Sequence, residues 1–165
     1  MAERIFLSND AGSQGGIFWD EEVFTFSYAG TTSAHGASAS NVALAGPMKS
    51  NGIITDFVIG VTNPALSASG FVSGSISANV KINGVSACTT MPSILRASDS
   101  ANVTFKATNV PATGVTPAVL SPTLSRFSTG NMLSIDTRTE TAGSAAAGAA
   151  GTGLFVSVKV RYTAT

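Results

Sequence analysis

His35 is the only histidine in this sequence and therefore the first candidate for acid–base chemistry. A Ser-His-Asp triad needs a histidine that a buried carboxylate holds in place. His35 lies in TTSAHGASAS, a run of small residues with no carboxylate in it. Serines are abundant, but the sequence favours a solvated loop histidine over a catalytic one.

Cys88 is the only cysteine and the second candidate nucleophile, and it forms no intrachain disulfide. A catalytic thiol needs a neighbouring base and positively charged surroundings. The hairpin described below predicts Ser86 and Asn79 as its neighbours, so we expect an inert thiol.

Asp20, Glu21 and Glu22 form a run of three carboxylates that could bind calcium weakly. Successive side chains of an extended chain point to opposite sides and rarely converge on one ion, so we expect the charged start of a strand instead. No His, Cys or carboxylate group has the spacing of metal ligands. The sequence predicts no metal, no cofactor and no enzyme activity.

Charged residues make up only 11% of the 165 residues, and the formal net charge is zero. Ordinary soluble domains carry about 25%, and a solitary monomer normally keeps a charged surface for solubility. An uncharged polar surface suggests cover by neighbouring subunits, although a stable monomer with such a surface is the alternative. Lys and Arg are not clustered, which argues against a nucleic-acid partner.

The N-terminus, MAERIFLSNDAG, lacks the charged start and apolar run of a secretory signal, so we expect synthesis in the cytoplasm. No stretch approaches the roughly 18 apolar residues of a membrane helix. The sequence therefore predicts no membrane partner.

Residues 1–21 are predicted to form an extended arm ahead of a single domain, residues 22–165. Residues 1–22 hold five acids and one base, a net charge of −4, and the remainder has a net charge of +4. Such an arm either folds back on its own domain or steers attachment to another subunit. Near its end, Ile17, Phe18 and Trp19 either begin the core or insert into a pocket of another subunit.

The stretch from Gly74 to Thr90 predicts a β-hairpin. Asn83 and Gly84 suit a type I′ turn, which sets Ile82 opposite Val85. That register directs one apolar set inward and turns Cys88 away from this inner face. The inward set is Ile76, Ala78, Val80, Ile82, Val85 and Ala87.

Alternating patterns predict about eight strands and no convincing helix. The predicted strands are 22–28, 41–45, 52–61, 72–82, 85–90, 101–108, 131–138 and 154–162. Eight antiparallel strands with long connections predict an all-β, jelly-roll-like sandwich with a short extended N-terminal arm. A seven-stranded immunoglobulin-like sandwich is the alternative.

Two segments are predicted as loops rather than strands. Residues 109–125 contain Pro111, Pro117 and Pro122, which indicate a long, stiffened loop, although Ser93–Ser100 before it fits a corner with a brief strand. The Ala- and Gly-rich segment within 139–153 is predicted as a mobile loop or a close-packed tip.

The chain resembles the small all-β virion proteins of tailed bacteriophages, namely head decoration or cement proteins and related capsid fibre or knob proteins. The resemblance lies in MAERIFLSNDAGSQGG, ANVKINGVSACTTMPSIL, GNMLSIDTRTETAGSAAAGAAGTG and LFVSVKVRYTAT, and contains no diagnostic motif. It implies a jelly roll, often a homotrimer, on the outside of a capsid lattice.

From this resemblance we expect a structural protein of the virion that binds the major capsid protein at the capsid surface and stabilises the lattice. The residues expected at capsid or intersubunit contacts are Ile5, Phe6, Leu7, Phe18 and Trp19, and the loops 109–125 and 139–153 are expected at the trimer axis or outer tip. The alternative function is a receptor- or carbohydrate-binding module of a phage fibre or capsid spike.

Overall fold

The computed structural model describes residues 4–5, 20–31, 39–62, 71–95, 105–143 and 152–163, and none of these residues is helical. They form fourteen β-strands. The strands are β1 (Arg4–Ile5), β2 (Asp20–Thr31), β3 (Ala39–Ala45), β4 (Gly52–Thr62), β5 (Phe71–Ile82), β6 (Val85–Ser86), β7 (Cys88–Thr90), β8 (Ser93–Leu95), β9 (Phe105–Ala107), β10 (Val115–Thr116), β11 (Val119–Leu120), β12 (Arg126–Phe127), β13 (Leu133–Gly143) and β14 (Thr152–Tyr162).

The first sheet has the order β1-β2-β14-β4 and is antiparallel throughout. The remaining edge of β4 is shared by two short strands: β12 pairs with its beginning and β9 with its end. Between them, the Ile54 amide donates to Ser125 O at 2.9 Å. Short strands and loop contacts thus cover one edge of a long strand, a common way to protect a sheet edge.

The second sheet is built in the same way, with the order β3-β13-β5. The other edge of β5 is shared by β6 and β8, and β10 pairs with the outer side of β8. A separate two-stranded pair joins β7 and β11. Both sheets are antiparallel, which confirms the predicted all-β sandwich.

The strand order is compatible with a jelly roll. The four main positions of the first sheet are β2, β14, β4 and β9, and those of the second are β3, β13, β5 and β8. Strands at the same position in the two sheets therefore follow each other among these eight strands along the chain. The four pairs are β2 with β3, β13 with β14, β4 with β5, and β8 with β9. A chain that changes sheet at nearly every connection gives this pattern.

The core lies between the two sheets and is formed by the inward side chains of the long strands. Strand β14 shows the cause most clearly, because its residues alternate between fully buried and half-buried over its whole described length. Eleven of the buried core side chains are Ile or Val, which suit a pleated surface. They are Ile54, Ile59, Val61, Ile76, Val80, Ile82, Ile94, Ile135, Val156, Val158 and Val160.

The predicted hairpin is present with the predicted turn. Asn83 and Gly84 have positive φ angles of 49° and 83°, and Ile82 pairs with Val85. The inward set is confirmed except for Val85, which is 56% exposed. The pairing of β6 with β5 lasts for only two residues, Val85 and Ser86, directly after the turn.

The long connection predicted between 109 and 125 is wrong in part, because β10 and β11 lie within it. Its prolines fall outside these two-residue strands, so they do not remove a donor from the pairing. The second predicted loop is also partly wrong: residues 139–143 continue β13, paired with β5, and residues 152–153 begin β14. Residues 144–151 lie outside the described part.

Candidate functional site

The predicted contact residues of the arm are described only in part. Ile5 lies in β1, where it pairs with Glu21 of β2, and Arg4 pairs with Glu22. Phe6, Leu7, Phe18 and Trp19 lie outside the described residues, as does His35. The backbone of β1 therefore attaches the start of the chain to the outer edge of the first sheet.

Glu21 binds two cations of the neighbouring strand β14. Its carboxylate lies 2.6 Å from Lys159 Nζ and accepts from Arg161 Nη2 at 2.8 Å and Nε at 3.0 Å. Pairing of β2 with β14 sets Arg161 directly opposite Glu21. Hydrogen bonds from Lys159 and then Arg161 lower the pKa of Glu21 below its ordinary value, despite the opposing effect of partial burial.

Asp20 and Glu22 share a different cation, Lys49. Lys49 Nζ lies 2.5 Å from Asp20 Oδ2 and 3.9 Å from Glu22 Oε2. It also lies 4.3 Å from the ring centroid of Tyr162, whose hydroxyl donates to Glu22 Oε2 at 2.8 Å. A cation over an aromatic face is attracted to the ring electrons.

These contacts define the ionic cluster, which consists of Asp20, Glu21, Glu22, Lys49, Lys159, Arg161 and Tyr162. For these three acids, the structure selects one of the two expected roles of the acidic N-terminal region: they fold back on their own domain. The prediction of a charged strand start is confirmed as well, since the three carboxylates pair with cationic side chains of this domain: Glu21 binds Lys159 and Arg161, whereas Asp20 and Glu22 share Lys49.

A second ion pair joins the strands of the other sheet. Lys81 Nζ of β5 forms a salt bridge with Asp136 Oδ2 of β13, and the Asn41 amide donates to Asp136 Oδ1 at 2.7 Å. Burial raises the pKa of Asp136, but the hydrogen bonds from Lys81 and the Asn41 backbone outweigh it, so the net shift is downward. The pair fastens β3, β13 and β5 to one another.

Cys88 is half-buried against the core, with β11 as its pairing partner. Burial raises the pKa of its thiol, and a backbone hydrogen bond from Val80 only partly opposes the shift. The Cys88 amide donates to Ser86 Oγ at 3.2 Å, and Ser86 Oγ donates to Asn79 Oδ1 at 2.8 Å. The predicted neighbours are therefore present, and a raised pKa makes the thiol a poor nucleophile at neutral pH.

Within the described ranges, no three His, Cys, Asp or Glu side chains are arranged to hold a metal ion. No helix long and apolar enough to cross a membrane occurs among the same residues.

Exposed apolar side chains gather in one part of the described chain, which sequence reasoning did not identify as a surface. Of the seven large hydrophobic residues that are exposed there, six lie between residues 85 and 124 and one, Met132, lies elsewhere. The six are Val85 (56% exposed), Met91 (51%), Leu95 (45%), Val110 (51%), Val119 (51%) and Leu124 (50%).

We name residues 82–95 and 107–125 the apolar edge, because neither segment contains a charged residue. Of the charged residues between the two segments, Lys106 is only 7% exposed, and Arg96 and Asp99 lie outside the described residues. The segments contribute β6, β8 and β10 to the β5 side of the second sheet, opposite the edge formed by β3. The lack of charge over both segments is the sequence signal for this surface, but it does not show which of their side chains are exposed.

The centre of the apolar edge is a two-stranded ribbon. Residues 87–95 run antiparallel to residues 114–121, with Ile94 opposite Val115 and Cys88 opposite Leu120. Main-chain bonds extend the pairing at both ends, from the Leu95 amide to Gly114 O at 2.6 Å and from the Ser121 amide to Ala87 O at 2.8 Å. The ribbon holds Met91, Leu95 and Val119 on a fixed backbone.

A scan against protein-family models and a search of curated proteins found no match to this chain.

Proposed function

We propose that this chain is a structural protein of a phage virion, a decoration or cement protein that binds the outside of the head and stabilises the capsid lattice. The proposal rests on the resemblance of its sequence to that family and on an all-β sandwich whose strand order is compatible with a jelly roll. Its partner would be the major capsid protein, and its working form a homo-oligomer.

The observation that carries the proposal is the apolar edge. Exposed apolar residues scattered singly are ordinary on protein surfaces, whereas a concentration of them marks an interaction site. Six of the seven exposed large hydrophobics of the described chain fall on two segments without a charged residue. A surface of this kind suits a protein whose role is to cover, and be covered by, other subunits.

The ionic groups support a structural role in a second way. Asp20, Glu21 and Asp136 each form an ion pair that joins neighbouring segments of the sandwich. Carboxylates used in this way fasten the fold, and a protein that reinforces a pressurised shell must itself resist unfolding. Binding across several capsid subunits adds free energy that opening the shell has to overcome.

The arm is the segment we assign to the capsid or to a neighbouring subunit. β1 pairs with the outer edge of β2 at Glu21 and Glu22 only, so most of that edge carries no partner from the described chain. An edge strand has free backbone donors and acceptors that another chain can pair with. The predicted contact residues, Ile5 to Leu7 and Phe18 to Trp19, lie on the chain that leads to this edge.

A receptor- or carbohydrate-binding module remains the second proposal, since the same scaffold serves that role. Sugar sites usually expose aromatic rings. Among the side chains that the structure describes, the aromatic rings are buried or half-buried: Phe24, Phe26, Phe57, Phe127, Phe155 and Tyr162. No observation on these residues favours the sugar-binding role, and specific signals on a glycan array would be needed to raise it above the first.

The test is co-sedimentation of the purified chain with assembled heads of the phage that encodes it. We expect saturable binding and a higher temperature of head disruption. Deletion of residues 1–16 should weaken binding while leaving the circular dichroism of the sandwich unchanged. Lack of binding by the full chain would contradict the decoration role, and undiminished binding by the shortened chain would remove the arm from it.

A further inference from the structure

We infer that the apolar edge is the surface through which two copies of this chain bind each other. The inference rests on the proposed function only in that it assigns a contact surface to the homo-oligomer proposed there. The self-association itself is a property of the isolated chain. The partner follows from charge, size and backbone geometry.

Charge favours an identical copy as the partner. At a two-fold contact between two copies, each patch meets the same patch of its copy, so residues near the axis face their own counterparts. Any unbalanced charge there would repel its counterpart, and like charges at an interface cost several kcal/mol. Residues 82–95 and 107–125 contain no charged side chain, so this surface meets itself without repulsion.

The remaining described surface is different. The ionic cluster with Glu21, Lys159 and Arg161 lies on β2 and β14, away from the β5 side of the second sheet. Lys81 and Asp136 lie on the strands between. These charged side chains lie outside residues 82–95 and 107–125, although Lys81 borders the apolar edge opposite Ser86 and the exposed Arg126 directly follows Ser125. Burying the residues of the apolar edge itself therefore desolvates no charged side chain of its own.

The apolar edge is also large enough. Of its residues, 18 are exposed and 7 are half-buried, which makes 25 that a partner could cover. A standard interface uses about 20–30 residues on each side. The exposed apolar side chains supply the contacts that carry most of the binding free energy in such an interface.

The backbone of the surface is fixed before association. The ribbon is held by pairing of β8 with β10 and of β7 with β11, and Thr89 Oγ1 donates to Val119 O at 3.1 Å. A surface that is ordered in the free chain loses less conformational entropy on binding. Met91 and Val119 lie on this ribbon and are each 51% exposed, so they are the best positions for a test.

The experiment is sedimentation velocity of the full chain over a range of concentrations, with circular dichroism and thermal unfolding as checks on folding. We expect the wild type to exceed the monomer mass of 16.6 kDa in a concentration-dependent way. The double variant Met91→Asp, Val119→Asp should associate at least about tenfold more weakly. Met91→Gln with Val119→Thr, which preserves side-chain size, keeps the question answerable if the aspartates unfold the chain, and it should also weaken association.

Ala43→Asp is the matched control, because Ala43 is exposed on β3 at the opposite edge of the second sheet. It adds one charge and should leave association unchanged. A monomeric wild type would overturn the inference, and so would folded double variants that associate like the wild type. Association without head binding would contradict only the decoration role. A monomer whose head binding is lost in the double variant would assign the apolar edge to the capsid instead.

Discussion

Lys106 Nζ on β9 of the first sheet donates a hydrogen bond of 3.3 Å to the main-chain oxygen of Leu95 on β8 of the second sheet. It also donates to Thr113 O at 3.1 Å. Lys106 therefore joins the edges of both sheets and the loop before β10. Its side chain is nearly buried, at 7% exposed, although Leu95 and Thr113 are themselves exposed residues.

Replacing Lys106 with Met keeps most of the side-chain volume and removes the ammonium. We expect the free energy of unfolding to fall by about 1–3 kcal/mol, because two hydrogen bonds from a charged and nearly buried group are lost. Chemical denaturation with urea measures this change. Lys49→Met, which removes exposed ion pairs, should cost less than about 1 kcal/mol. Equal losses in both variants would contradict the bridging role of Lys106.

Gly60 lies beneath the ring of Phe155, the residue opposite it on β14. A Cβ atom at position 60 would lie 2.1 Å from Phe155 Cζ, so a side chain there forces the ring to move. Gly60→Ala should destabilise the fold by about 1–3 kcal/mol, the usual cost of overpacking. In a chain that already carries Phe155→Ala, Gly60→Ala should lower the free energy of unfolding by less than it does in the wild type. Additive losses in the double-mutant cycle would contradict this contact.

Stability should decrease in acid through Glu21 and Asp136. The pKa of each carboxyl is lowered from its ordinary value, 4.5 for Glu21 and 3.8 for Asp136, so the unfolded chain takes up these protons more readily than the folded one. The stabilisation is complete above the ordinary values and is lost as the pH falls through the lowered ones.

The melting temperature between pH 7 and pH 2.5 measures this loss. Both side chains are partly exposed, at 22% and 27%, so each pair should contribute below about 1 kcal/mol. The variants Glu21→Gln and Asp136→Asn should each flatten the acid limb of the curve, and 1 M salt should do the same. A wild-type curve that matches, at low pH, the curve of a chain carrying both Glu21→Gln and Asp136→Asn would contradict the assignment.

Cys88 should react slowly with alkylating reagents in the folded state. Burial raises the pKa of its thiol, so the thiolate fraction at pH 8 is lower than in an unfolded chain, and access is reduced as well. We expect iodoacetamide to modify the native chain at least about tenfold more slowly than the chain in 8 M urea. Equal rates, after correction for the effect of urea on a small thiol, would contradict the described burial.

The sequence allowed prediction of the long strands because each has two independent signals. β14 combines strict alternation from Leu154 to Tyr162 with a high content of Val, and β5 ends in an Asn-Gly turn that fixes its register. The alternation of apolar and polar residues depends only on which face of a strand is buried, so it is present whichever strands pair in the sandwich. The sandwich was therefore predictable without knowledge of its partner strands.

The short strands and the apolar edge were not predictable in the same way. Two residues, as in β10 or β12, are too few to show a period, and their pairing is decided by neighbours far along the chain. Val85 had the right alternation and the right register, yet it is 56% exposed, because burial depends on the rest of the fold and not on the local pattern. Similarly, exposure of Met91 and Val119 depends on tertiary packing that a local pattern does not encode.

Strand β14 lies between β2 and β4, and its register joins Leu154 to Tyr28 and Tyr162 to Asp20. On a ribosome that adds about 5–20 residues per second, β2 waits on the order of ten seconds for this partner. During synthesis, β2 therefore exists with an unpaired hydrogen-bonding edge. Crowding of nascent chains and the availability of chaperones, more than the final stability of the fold, should then govern how much native protein a cell obtains.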